Sequence, residues 1–184
     1  HQIIRSDPGH ILIVHNQRDK TVFDLYRVNL DTYRQSLLAQ NPGDVASWIT
    51  DQEGDLRGRV KKIQTDHLAL ELFHPQHQTW KVLITWDFND SVRILGFTPD
   101  DRGLWLLSNR GRDRVNLVRL DLETGKEALI YADQQVDVAG VMLSELTKKP
   151  MWAFSCPDYP KIHFFDSKLE AEFDNLQQKK PFGL

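Results

Sequence analysis

The stretch that decides the fold is Ser91-Val92-Arg93-Ile94-Leu95, because it recurs with changes as Asp44-Val45-Ala46-Ser47-Trp48 and Asp137-Val138-Ala139-Gly140-Val141. The valines of the three copies, in chain order, are 47 and then 46 positions apart. A longer match joins 25–32 to 117–124 at an offset of 92 positions, which is two periods. A period of this size is typical of stacked or radial repeats of one supersecondary unit.

The copy that begins at Ser91 predicts four strands. Alternating or continuous apolar patterns give 92–97, 104–108, 115–122 and 127–131 as these strands. Proline and glycine in 98–103 mark the first turn, and Gly125 provides the positive φ that a hairpin turn needs. Four antiparallel strands in about 46 residues are the content of one β-propeller blade.

The whole chain is therefore predicted to be an all-β protein, a β-propeller fragment of about four blades with four antiparallel strands each. The predicted blades are 1–43, 44–90, 91–136 and 137–184. In the last of them, 167–178 has the spacing of a short amphipathic helix with Leu169, Phe173 and Leu176 on one face. The first blade begins in the middle of a strand, at Ile3-Ile4-Arg5, which favours an arc of a larger ring over a closed ring of four blades.

Composition excludes several classes of partner. The net charge of −3 and the isoelectric point near 6.2 give no reason to expect a nucleic acid. The longest apolar run is about five residues, far short of a membrane span. The one cysteine, Cys156, cannot form an intramolecular disulfide, and its place at the end of the strand-like run 151–156 predicts a small buried side chain.

Three stretches resemble blades of the prolyl oligopeptidase family of serine peptidases. The first is 97–108 with 117–126, the second is 41–48 with 55–60, and the third is 137–141. The bacterial branch of dipeptidyl aminopeptidases and acylaminoacyl peptidases is the most similar. This resemblance implies an N-terminal propeller that covers a C-terminal α/β-hydrolase domain with a Ser–Asp–His triad. It also implies that the propeller admits short peptides, excludes folded proteins, and belongs to a soluble protein of the bacterial cytoplasm or periplasm.

No catalytic residue can be assigned in this chain. An α/β-hydrolase presents its serine in a Gly-x-Ser-x-Gly turn, and none of the eight serines stands in that pattern. The alternation of strands and helices that such a domain needs is also missing from the pattern. The prediction is a non-catalytic propeller portion of a longer serine-type peptidase. Its expected partners are the hydrolase domain of the same parent chain and short peptide substrates.

Neither a metal site nor a cofactor site is predicted. His74 and His77 have a spacing that zinc can use, but Pro75 places them in a turn and no cysteine accompanies them. The stretch 87–90 resembles the start of a calcium loop but lacks the later glycine and glutamate, so turn chemistry explains it better.

The weak candidates for substrate binding are Arg110 and Arg112, in the polar stretch 108–114. An arginine pair can hold a peptide carboxylate through parallel hydrogen bonds. The alternative is a polar connection whose charges pair locally, at about 0–1 kcal/mol for each pair. Large aromatic side chains at strand positions are expected to pack between blades. They are Trp48, Trp80, Trp86, Phe97, Trp105, Trp152 and Phe154.

Two other functions compete with the peptidase portion. A stand-alone propeller could bind a protein or peptide partner, because fold alone does not determine function. A propeller enzyme with a central metal would need acidic and histidine side chains that converge, and the sequence offers no such set. An open arc would also expose blade edges and faces, which predicts a possible dimer.

Overall fold

A computed structural model describes residues 2–4 and 6–179 of the chain, and these residues form four antiparallel sheets. The chain divides into two compact units, His1–Phe88 and Asn89–Leu184. The predicted fold class is confirmed: the protein is an all-β chain of propeller type with one helix near its C-terminus.

The first unit contains two sheets of four strands. Sheet 1 consists of β1 (Gln2–Ile3), β2 (His10–His15), β3 (Asp24–Asn29) and β4 (Gln35–Ala39), and sheet 2 consists of β5 (Val45–Thr50), β6 (Leu56–Gln64), β7 (His67–His74) and β8 (Thr79–Asp87). Ile4, Leu12 and Leu25 form a buried cluster against which Trp48 and Leu56 pack. Residues of sheet 1 and sheet 2 therefore share one core.

The second unit contains sheets of four and three strands. Sheet 3 consists of β9 (Val92–Phe97), β10 (Gly103–Ser108), β11 (Asn116–Asp121) and β12 (Glu127–Tyr131), and sheet 4 consists of β13 (Val138–Leu143), β14 (Pro150–Ser155) and β15 (Lys161–Phe164). Every residue of β10 is buried, as its continuous apolar run predicts. Trp105, Leu107 and Leu117 form a core with Val138 and Ala153 of sheet 4.

The end of the chain follows the prediction of a short helix in the last quarter of the fourth blade. Sheet 4 has three strands, and α1 (Ser167–Lys179) follows β15. Asp166 caps this helix by accepting a hydrogen bond from the backbone N–H of Lys168 at 2.9 Å. No residue of α1 is buried, although the Phe173 ring lies 5.2 Å from that of Phe164. The predicted amphipathic face is thus partly covered: Leu169 and Phe173 are half-buried, whereas Leu176 is 59% exposed.

Two tryptophans connect neighbouring sheets through their indole N–H groups. Trp48 donates to the carbonyl of Phe23 at 3.1 Å, and Trp105 donates to the carbonyl of Lys148 at 2.8 Å. These bonds agree with the expectation that aromatic side chains pack between blades. Phe154 departs from it, because 38% of its surface is exposed.

One detail of the sequence prediction is wrong, and another lies partly outside the described residues. Cys156 is exposed, and the prediction of a buried thiol was wrong because β14 ends one residue earlier, at Ser155. The first predicted strand, Ile3-Ile4-Arg5, corresponds to β1, whereas Arg5 lies outside the described residues.

Candidate functional site

Arg110 and Arg112 lie in the loop between β10 and β11, and both contact the same carboxylate. Glu127, the first residue of β12, accepts a hydrogen bond from Nε of Arg110 at 2.9 Å and another from Arg112 at 2.5 Å. The Glu127 side chain is only 4% exposed, whereas those of the arginines are 30% and 26% exposed. The structure therefore brings the two predicted residues together around a buried acid of their own sheet.

Local hydrogen bonds give this loop its shape. The Ser108 hydroxyl accepts from the backbone N–H of Arg110 at 3.1 Å, and the carbonyl of Asn109 accepts from that of Arg112 at 2.7 Å. Gly111 lies between the two arginines at φ 67°, in the left-handed region that glycine adopts without steric cost. The side-chain carbonyl of Asn109 also accepts from the backbone N–H of Ser91 at 2.7 Å, which ties the loop to the start of β9.

The electrostatics of the cluster leave one positive charge in excess. Two guanidinium groups face the single carboxylate of Glu127, and a buried carboxylate of this kind requires such partners. In this structure the arginines bind the carboxylate of Glu127, a residue of the same sheet. This is the local pairing that the sequence analysis gave as the alternative to substrate binding. The surplus charge and the partial exposure of both side chains leave the cluster able to attract an anion.

A second cluster, which sequence analysis missed, lies around Asp133 in the loop between β12 and β13. One oxygen of its carboxylate accepts from the Ser155 hydroxyl at 2.8 Å and from the Lys161 ammonium at 3.3 Å. The other oxygen accepts from the backbone N–H groups of Gln135 and Val136 at 2.9 and 3.3 Å. The side chain is 1% exposed. These donors, above all the N–H of Gln135, hold the pKa of Asp133 far below its usual range.

A third buried carboxylate anchors the corresponding loops of sheet 1. Asp24 accepts two hydrogen bonds from the Arg18 guanidinium at 2.7 and 3.0 Å and one from the backbone N–H of Asn41 at 2.7 Å. Its side chain has no exposed surface, and the paired guanidinium holds its pKa below the usual range. Asp24, Glu127 and Asp133 thus share one role, since each fixes a loop to the body of its unit from a buried position.

The histidine and acidic motifs form turns. The backbone N–H of His77 donates to the carbonyl of His74 at 3.2 Å, and Phe88 and Asn89 lie in the turn that follows β8. Within 2–4 and 6–179, no group of three or more His, Cys, Asp and Glu side chains could hold a metal ion. The helix that the structure describes, α1, is too short to cross a membrane.

The comparison with curated proteins found a relative that matches nearly the whole chain. The chain is 29% identical over 178 residues to dipeptidyl aminopeptidase BIII of Pseudoxanthomonas mexicana. This chain is homologous to a segment of a dipeptidyl aminopeptidase. The match covers 95% of the chain but only 25% of the relative, so the chain spans about a quarter of that enzyme's length. The resemblance to the propeller region of prolyl oligopeptidase-family serine peptidases is thereby confirmed. No family model matches the chain.

Solved structures with low sequence identity show the same fold. TolB from Acinetobacter baumannii matches with a TM-score of 0.58 and 17% identity, over 85% of this chain and 38% of TolB. A structure from a study of two prolyl endopeptidases matches with a TM-score of 0.53 and 11% identity, over 80% of this chain and 23% of its own length. Both are propeller proteins, and the likeness concerns the fold.

Proposed function

We propose that this chain is the non-catalytic propeller portion of a serine oligopeptidase. In this role it gates the access of short peptides to a separate α/β-hydrolase domain of the same parent chain. The observation that carries the proposal is the 29% identity to a dipeptidyl aminopeptidase over 95% of the chain. Because none of the eight serines stands in a Gly-x-Ser-x-Gly turn, the nucleophile would belong to the other domain. The proposed compartment is the bacterial cytoplasm or periplasm.

The anchored loops support a gating role. A gate that selects by size needs loops that keep their positions, since a mobile rim would also admit larger chains. Asp24, Glu127 and Asp133 each fix a loop through three or more hydrogen bonds from a buried position. Such networks hold a loop more firmly than surface ion pairs do, because their partners are shielded from water.

The Arg110–Arg112 pair is the proposed contact for the peptide carboxylate. Its bonds to Glu127 use Nε of Arg110 and one terminal nitrogen of Arg112, and guanidinium groups carry five N–H donors each. Glu127 would hold the two guanidinium groups in position, and the surplus positive charge would attract the carboxylate of the substrate. A carboxylate that approaches from solvent would therefore meet donors whose positions are already set.

The test is labelling of the native gene product with a fluorophosphonate probe, which reacts with activated serines. The product is captured from its source cells with an antibody raised against this chain. We expect a labelled band far heavier than the 21.4 kDa of the chain. Free chain added as competitor should remove the band from the capture, and prior heat denaturation should remove the label. A captured product that is folded and unlabelled would contradict the proposal.

The second candidate function is a stand-alone scaffold that binds a protein or peptide partner. Exposed apolar side chains on sheet 4 favour it, since Met142 is 47% and Phe154 38% exposed. An unlabelled gene product of about the size of this chain would favour the stand-alone scaffold over the peptidase portion.

A further inference from the structure

A cavity of about 470 Å³ lies between sheet 3 and sheet 4 of the second unit, away from the Arg110–Arg112 loop. Its walls come from the turn between β9 and β10, from one face of β10 to β12, and from the residues that flank β14 and β15. The lining residues are Thr98, Pro99, Asp100, Trp105, Arg119, Ile130, Lys149, Pro150 and Phe165. Nothing in the proposed function uses this cavity.

The apolar part of the lining suits a small organic molecule. Most of the lining surface is apolar, and the volume falls within the range of about 300–1,000 Å³ that small-molecule sites occupy. Two aromatic walls are held in place by their own contacts. The Trp105 indole donates to the carbonyl of Lys148 at 2.8 Å, and the Phe165 ring meets the rings of His163 and Tyr131 edge to face at 4.9 and 5.9 Å. The cavity is therefore preformed.

The charged part of the lining consists of two cations, Arg119 and Lys149, and one carboxylate, Asp100. The Arg119 guanidinium reaches Asp100 and Asp121 only through long contacts of 3.4 Å. Asp100 also accepts from the Thr98 hydroxyl and the backbone N–H of Arg102. Asp121 accepts from the backbone N–H groups of 123 and 124 and from the hydroxyl of 124. In each acid one oxygen takes these bonds and the other contacts Arg119 at 3.4 Å, so two of the five N–H donors of Arg119 are used, and only through long contacts.

Lys149 adds a second cation at the edge of the cavity. Its side chain is exposed, and in the part of the chain that the structure describes it forms no ion pair. A ligand that reached both Arg119 and Lys149 would need an acceptor with negative charge, because both side chains are donors only. A carboxylate meets this need, and its hydrogen bonds to cations are stronger than those of a neutral group.

We propose that this cavity binds a small carboxylate with an aromatic or branched apolar body. The body would lie between Trp105, Ile130 and Phe165, and the carboxylate would lie between Arg119 and Lys149. The site belongs entirely to this chain, so it does not depend on the proposed peptidase function. A hydrolase domain could be present or absent without changing the result.

The probe is 4-phenylbutyrate, and its matched control is the neutral 4-phenylbutyramide, which has nearly the same shape. Saturation-transfer difference NMR on the recombinant full-length gene product measures both. We expect the carboxylate to bind with a dissociation constant of about 1 mM, given its few heavy atoms, and the amide about tenfold more weakly. Equal binding of the two compounds, or binding of neither, would overturn the proposal.

Substitutions in the lining test whether the two compounds bind in this cavity. Lys149→Gln should weaken the carboxylate about three- to tenfold and leave the amide unchanged. Lys62→Gln, an exposed lysine of the other unit, should change neither. Ile130→Trp should fill the cavity and abolish the signal of both compounds, and an unchanged melting temperature verifies that each variant folds. If the Ile130→Trp protein still bound 4-phenylbutyrate, the compound would be bound elsewhere and the proposal would be wrong.

Discussion

At the residue scale, two copies of the internal repeat keep the same hydrogen bonds in a turn although the residues of that turn differ. Asn29 and Asp121 occupy the same place 92 positions apart, and each caps its turn with one side-chain oxygen. That oxygen accepts from two backbone N–H groups and from a threonine hydroxyl in both copies. The following left-handed position is Gly125 at φ 68° in one copy and Tyr33 at φ 57° in the other. The turn therefore tolerates a strained residue when the cap is kept.

The strain at Tyr33 predicts a stabilising substitution. A side chain in the left-handed region costs about 1–2 kcal/mol, and glycine recovers this at an entropic cost of about 0.5–1 kcal/mol. Tyr33 is 77% exposed, so its removal loses little packing. Tyr33→Gly should raise the free energy of unfolding in urea by about 0.5 kcal/mol. The matched change Gly125→Ala should lower it by about 1 kcal/mol. A loss of stability in Tyr33→Gly would mean that the tyrosine makes stabilising contacts that outweigh its strain.

Asp133 predicts a dependence of stability on pH. Its pKa is lowered in the folded protein, chiefly by the N–H of Gln135, against about 3.9 in the unfolded chain. A lowered pKa stabilises the fold above the unfolded value, and this contribution is lost as the pH falls toward the folded value. Asp133→Asn should therefore make unfolding less sensitive to pH below about 4. The control is Asp113→Asn, whose side chain is 91% exposed and which should keep the wild-type acid profile. Parallel acid profiles of wild type and Asp133→Asn, measured by chemical unfolding, would refute this assignment.

At the element scale, the loop between β10 and β11 depends on a residue from another strand. Glu127 begins β12, yet it holds both arginines of that loop. Glu127→Gln removes the charge and leaves two guanidinium groups facing each other, at a cost of about 1–3 kcal/mol. We expect the loop to open more often, so trypsin should cleave faster after Arg110 and Arg112. The timed appearance of these fragments, identified by mass spectrometry, measures the opening.

The control for this change is Glu123→Gln, an exposed glutamate in the turn before β12. It should leave cleavage at the loop unchanged. If Glu127→Gln and wild type were cleaved at the same rate, the carboxylate would not be what holds the loop.

At the scale of the whole molecule, the partly exposed outer face of sheet 4 predicts self-association of the isolated chain. The opposite face contributes Val138 and Ala153 to the core, whereas Met142 and Phe154 on the outer face remain partly exposed although Phe173 of α1 lies against Phe164 of the same sheet. Exposed apolar surface of this kind favours contact with a second chain. Sedimentation velocity should show a dimer that grows with concentration, and Phe154→Lys should shift the population to monomer. Leu129→Lys, a substitution at an exposed leucine on β12, should have no such effect. A monomer at every concentration would contradict this prediction.

The sequence by itself determined the strands and the resemblance to peptidase propellers, because both depend on local pattern. Apolar patterns along the chain placed the strands of sheet 3 within one residue of their ends, since side chains point to opposite faces in turn. The period of 46 to 47 residues was enough to suggest propeller blades, and particular stretches such as 97–108 with 117–126 carried the resemblance to the peptidase family. Nothing distant in the chain was needed for these conclusions.

Only the tertiary structure decided what each polar or exposed side chain does. Arg110 and Arg112 could be chosen as candidates from their sequence, but their partner Glu127 lies across two strands. Asp133 gave no signal, because its partners Ser155 and Lys161 come from the next sheet. Cys156 was predicted to be buried and is exposed, because burial depends on where a strand ends and on what packs beside it. Hydrogen-bond partners and burial depend on how segments that are distant in the sequence pack together. A local sequence pattern does not specify that packing.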